Sequence, residues 1–186
     1  MNYYRSVIGA GGGNPKDFTA TVNGMIKENV SAEAFFEGNE TINYDIEIGD
    51  KITSCANLLF GCENFNKNVK IGVNVTNCHQ MLYGTNMRGK SIVFPKKAQD
   101  LSLALGWSNF YGNVKINNSA PNVYGLIGSR ADNSHRVNIW CSNQTAITSG
   151  AILGDPSIYP ITWTSMTNGY YNAQQNIYFY YNYTGT

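Results

Sequence analysis

The chain has 186 residues, enough for one domain with a substantial core, and its 13 Lys and Arg against 12 Asp and Glu leave a formal net charge of +1. Such neutrality offers no electrostatic basis for a nucleic-acid partner, and no stretch reaches the ~20 apolar residues of a membrane-crossing helix. Charged residues are only 13% of the chain, about half the usual share; Asn, Gly, Ser, Thr and Tyr replace them, which suits an all-β, turn-rich chain whose surface meets sugars or proteins.

The start, Met1 to Gly9, lacks the apolar run of a secretory signal, so synthesis in a host cytoplasm without export by that route is expected. Gly9-Ala10-Gly11-Gly12-Gly13-Asn14-Pro15 reads as a flexible or tightly turned stretch. It lacks the lysine and the strand–turn–helix setting of a phosphate loop. Asp17 to Ile26 reads as a strand. Residues 1–31 are therefore expected to be an N-terminal arm or cap that docks into a larger particle.

From residue 32 the chain repeats itself. Gly38, Gly61, Gly84, Gly106 and Gly128 follow one another at 23, 23, 22 and 22 residues. The same period recurs in the pairs Ile46/Ile48, Val69/Ile71, Ile92/Phe94, Val114/Ile116 and Val137/Ile139. Aligned on the glycine, each unit has an apolar pair just before it, as in Leu58-Leu59. Ile42, Phe65, Met87 and Phe110 follow the glycine, with Met87 one place early. The apolar-x-apolar pair then has strand alternation, with Lys70, Lys115 and Asn138 facing solvent. Ile52, Val75, Ala98 and Ala120 close the turn, and the glycine supplies a corner with positive φ. The fifth unit carries one inserted residue after its glycine.

A 22–23-residue period is too short for paired-helix repeats, which need about 33 or more. The expected fold is all-β, a β-solenoid or leucine-rich-repeat-like coil over residues 32–163. Whether the apolar pair lies on a strand or on a helical turn stays open. Cys55 and Cys78 occupy equivalent places on successive rungs, either as reduced core residues or within reach of a disulfide, given the ~4.8 Å between stacked strands. Cys62 and Cys141 complete the set, and with His79 and His135 they make no recognised metal spacing.

Val75-Thr76-Asn77-Cys78-His79-Gln80-Met81-Leu82-Tyr83-Gly84 and Ala56-Asn57-Leu58-Leu59-Phe60-Gly61-Cys62-Glu63-Asn64-Phe65-Asn66 resemble the repeat unit of bacterial surface-antigen-type, leucine-rich-like proteins of treponemes and mycoplasmas. Similar units occur in phage and prophage tail proteins. The resemblance covers residues 32 to 144 and is clearest in the second and third units. It implies a secreted adhesin or a virion protein, and carries no catalytic residue across.

The C-terminal part leaves the repeat. Ile152-Leu153-Gly154 and Ile161-Thr162-Trp163 form a degenerate rung. Asn168-Gly169 is a hairpin signal linking a strand around Trp163 to one around Ile177. Residues 164–186 are expected to form a Tyr-rich hairpin cap. Aromatics on both faces of Asn176 to Tyr183 place Tyr178, Tyr180 and Tyr181 in an expected contact with another chain; a homotrimer is what the likeness to phage proteins implies. Arg130, Asp132, His135 and Arg136 in the fifth unit's irregular loop form a candidate surface contact.

Asp45, Glu47, Asp50 and Glu63 are the densest carboxylates. Paired acids could serve a glycosidase, but Glu47, Lys70 and Lys115 read as a surface ladder along stacked rungs, and no nucleophile pattern appears. The reading is a non-enzymatic structural or adhesion protein of a bacteriophage virion, in a tail, head fibre or baseplate appendage. Its expected partners are other virion proteins through the arm and a host-surface glycan or protein, with no cofactor, nucleic acid or membrane. A bacterial surface adhesin and a polysaccharide depolymerase are the alternatives.

Overall fold

The computed structural model describes residues 30–117, 121–128, 133–141, 151–154, 164–173 and 175–181. The arm's Gly9–Pro15 and Asp17–Ile26, together with Ala120, Arg130, Asp132 and Ile161–Trp163, lie outside the described residues. The described chain is a β-solenoid. Ten strands occur in it: β1 (Val30–Ser31), β2 (Ile46–Glu47), β3 (Ile52–Ser54), β4 (Val69–Lys70), β5 (Arg88–Phe94), β6 (Tyr111–Ile116), β7 (Val137–Cys141), β8 (Thr164–Met166), β9 (Gly169–Asn172) and β10 (Ile177–Tyr180). A single 3₁₀ turn, Ala151–Leu153, is its nearest approach to a helix.

Each rung begins with two consecutive turns. In the second rung Leu58 N–H donates to Cys55 O and Cys62 N–H donates to Leu59 O. The third residues of these turns, Asn57 (φ 56) and Gly61 (φ 69), have positive φ, as type II turns require. Phe60 N–H likewise donates to Asn57 O, while the alternate N–H groups reach the next rung: Asn57 to His79 O, Leu59 to Met81 O and Gly61 to Tyr83 O, all at 2.8–2.9 Å. Backbone donors thus bond alternately within a turn and between rungs. The apolar pair is therefore on neither a strand nor a helix.

The turn is primed by the residue before it. Asn77 Oδ1 accepts His79 N–H at 3.0 Å, Asp100 Oδ1 accepts Ser102 N–H at 2.9 Å, and Asn122 Oδ1 accepts Tyr124 N–H at 3.2 Å. These residues stack through the parallel bridges Ser54–Asn77, Asn77–Asp100 and Asp100–Asn122. This accounts for Val-Thr-Asn in the repeat. Val75 enters the core, Thr76 N–H and Oγ1 both donate to Thr53 O, and Asn77 starts the turn.

The opposite wall is a parallel sheet. β2 pairs with β4, while β5, β6, β7 and β10 run parallel in one six-stranded sheet that β9 and β8 complete antiparallel. All five expected inward pairs are buried, as are Phe36, Leu59, Leu82, Leu105 and Ile127, which share one place on successive rungs. Met87's early position is absorbed at Gly89 (φ 66), the extra residue where β5 and β6 shift register between Arg88 and Lys90. No described helix is long and apolar enough to cross a membrane.

Three expectations need correction. Gly106 and Gly128 do not stack on Gly84. Gly84 N–H donates to Gly106 O and Trp107 N–H donates to Gly128 O, so Trp107 (φ 53) takes the corner and Gly106 lies on Tyr83. Val114 pairs with Ile139, not Val137, and Ile116 with Cys141. The fifth rung is thus displaced by two residues, and a two-residue shift keeps the same side chains inward. Finally, Asn168-Gly169 does not lead directly to the strand around Ile177. The loop is Thr167-Asn168, it joins β8 to β9, and a second turn through Asn176 (φ 50) leads to β10.

Candidate functional site

Repetition converts single residues into rows on the surface. At the corner, Gly38, Gly61 and Gly84 share positive φ with Trp107. A Cβ on Gly38 or Gly61 would meet nothing within 4 Å, and one on Gly84 would meet only Gly61 backbone, at 3.6 Å, so these rungs leave the corner bare of side chains. Trp107 stands in the same row and is 63% exposed. Holding an L side chain in that backbone region costs ~1–2 kcal/mol.

The row beside it carries Phe60 and Tyr83, stacked at 5.0 Å with 6° between their planes. Gly106 continues this row, where a Cβ would lie 3.1 Å from Tyr83 Cδ2. Its absence lets the next rung's backbone rest on the ring. Burial raises the Tyr83 phenol above its ordinary value, so its hydroxyl remains a donor.

On the other side Asn64, Asn86 and Asn109 each precede a buried residue, Phe65, Met87 and Phe110. Asn86 Oδ1 is buried without a hydrogen-bond partner. These rows and Trp107 line one open groove of about 560 Å³, in which Glu63 is the one charged lining residue among those described. The sequence reading missed this groove. The in-phase Leu59, Leu82 and Leu105, at 23 and 23 residues, carried the signal that Trp107 rather than Gly106 follows Gly84.

A second surface covers the outer face of the six-stranded sheet. Arg136 lies over the Tyr178 ring, 3.4 Å from its centroid, and donates from Nη2 to the Tyr180 hydroxyl. Its Nε donates to Asn138 Oδ1 at 2.6 Å. Trp140 stacks on Tyr180 at 5.1 Å, Tyr171 packs on Tyr178 at 4.4 Å, and Tyr181 meets Tyr170 at 5.9 Å. His135 stacks on Tyr111 at 4.3 Å. The candidate contact loop and the candidate tyrosine interface are therefore one cluster as far as Arg136 is concerned. Ile177 and Phe179 face the core, while Tyr178, Tyr180 and Tyr181 are half-buried against neighbours in their own chain.

The carboxylates hold rungs together. Asp45 Oδ1 accepts Asn68 N–H at 2.9 Å, and this bond keeps its carboxyl below the ordinary value. Asp50 Oδ1 accepts Val73 N–H at 3.2 Å, and Glu47 pairs with Lys70 at 2.5 Å. The Glu47–Lys70 pair is exposed and adds little. Cys55, Cys62, Cys78 and Cys141 are buried thiols outside any disulfide. Burial pushes Cys62 up to about 11 and Cys78 up to about 12, which leaves them unreactive at neutral pH. No three His, Cys, Asp or Glu among the described residues group as metal ligands. Comparison with protein-family models, curated proteins and solved structures found no match.

Proposed function

We propose that this chain is a non-enzymatic assembly and adhesion module, of the kind a bacteriophage carries in a tail, head fibre or baseplate appendage. The observation that carries the reading is the Arg136, Trp140, Tyr178 and Tyr180 cluster on the outer sheet face. Arg, Trp and Tyr are the residues enriched at interface hot spots, and here the last rung and the cap hairpin bring them together. Rings already ordered by stacking lose little side-chain freedom on docking. The likeness of the repeats to surface-antigen and phage tail repeats supports the virion assignment, with the N-terminal arm as the link to other virion proteins. A bacterial surface adhesin would use the same faces, and capsid and portal genes beside this one separate the two.

Light scattering after size exclusion tests the assembly role. The wild-type chain should elute as a homo-oligomer, a trimer by analogy with phage appendages. Tyr180→Ala and Arg136→Glu should elute as monomers with the rungs still folded by circular dichroism. A wild-type monomer at tens of micromolar, or variants that assemble normally, would end this reading.

A further inference from the structure

We infer that the groove along the turn corner is a binding site for an extended, uncharged polysaccharide, with one pyranose ring stacked on Trp107. This deepens the adhesion half of the function proposed above and is independent of its assembly half.

Four observations support it. Trp107 occupies a place where three preceding rungs have glycine, in a backbone conformation that disfavours side chains. The residue is 63% exposed, so the core does not account for it. An exposed aromatic face is what the C–H face of a sugar packs against, by apolar contact.

The groove's chemistry is neutral. Asn64, Asn86 and Asn109 offer an amide on each of three successive rungs, and an amide both donates to and accepts from hydroxyl groups. The three side chains line the groove, so hydroxyls along an occupying chain meet them in turn.

The spacing fits a polymer. The rungs repeat at the ~4.8 Å of a parallel sheet, close to the advance of an extended pyranose chain per residue. Successive sugars therefore meet successive rungs in the same register. The bare Gly61 and Gly84 keep the track open, while Phe60 and Tyr83 present an aromatic wall along it. Anionic chains gain nothing here, since no cation lines the groove among the described residues and Glu63 repels them.

Affinity electrophoresis of the full chain tests the site. The gels contain mixed-linkage β-glucan, galactomannan, xylan or dextran, with alginate and hyaluronan as anionic controls. At least one neutral polymer should retard the wild type. Trp107→Gly and Asn86→Ala should each weaken that retardation at least tenfold while melting no lower than the wild type and eluting at its volume. Trp107→Gly supplies the residue the backbone prefers, and Asn86→Ala removes an unpaired acceptor, so a merely structural role would not produce loss of binding with the fold intact. No retardation by any neutral polymer, equal retardation of the variants, or retardation by the anionic polymers alone would overturn the site. Failure of the chain to oligomerise would refute the assembly reading and leave this one standing.

Discussion

Leu82→Ala probes the solenoid at its most repetitive point. Leu82 is fully buried, Leu59 and Leu105 occupy the same place on the rungs either side, and its N–H donates to Ala104 O at 2.9 Å. The substitution removes three carbons, or about 2.4 kcal/mol at ~0.8 kcal/mol per buried methylene. The cavity adds to this, because rungs tied to each other by backbone bonds on both sides cannot collapse inward, and Leu→Ala losses in rigid cores run ~2.7–5 kcal/mol. We expect about 4 kcal/mol. With a urea m-value of about 2 kcal/mol/M, the unfolding midpoint should fall by about 2 M. Lys70→Ala, on the outward face, should cost less than ~0.5 kcal/mol and so move the midpoint by less than about 0.25 M. Urea titration followed by circular dichroism measures both. Similar midpoints for the two variants would refute the assignment of inward and outward rows. A second, separate transition in Leu82→Ala would show that the rungs on either side unfold independently.

Gly112→Ala should be more damaging than its size suggests, because its φ is 130 and the added Cβ would lie 2.1 Å from Lys90 O across the register shift; we expect a loss of ~2 kcal/mol or more, and an unchanged midpoint in the same titration would contradict the bulge. The buried thiols make the fold sensitive to alkali. A thiol whose folded pKa is raised keeps its proton when the unfolded chain has released it, so stability is full below about pH 9 and falls as pH rises above it. For Cys78 the fall is about 1.4 kcal/mol per pH unit up to about 12. Melting temperatures from pH 7 to 10.5 should decline less in Cys78→Ala than in the wild type, and parallel declines would refute the coupling. Ellman's reagent at pH 8 should label none of Cys55, Cys62, Cys78 and Cys141 in the native chain and all four in urea; rapid native labelling would contradict their burial.

Much of the architecture was legible in the residues alone. The inward rows repeat with the rung because each rung must bury the same two walls, so the period, the strand faces at Val69-Lys70-Ile71 and the outward Lys70 and Lys115 could be read from spacing. The asparagine of Val-Thr-Asn was visible as part of the repeat, although its bond to the N–H two residues on was not.

Other features were settled only by stacking. Glycine identity does not report φ, so an alignment on glycine took Gly106 for a corner that Trp107 occupies, and the groove beside it went unseen. The fifth rung's two-residue displacement was invisible because side chains alternate with period two, and either register buries the same face. Arg136 and Tyr180 are 44 residues apart and meet because β10 takes the next place beside β7. The sequence by itself determined which side chains go inward, since burial is a property each rung repeats. Only the tertiary structure decided which residues become neighbours across rungs, since that depends on the number of residues each turn and bulge consumes between one strand and the next.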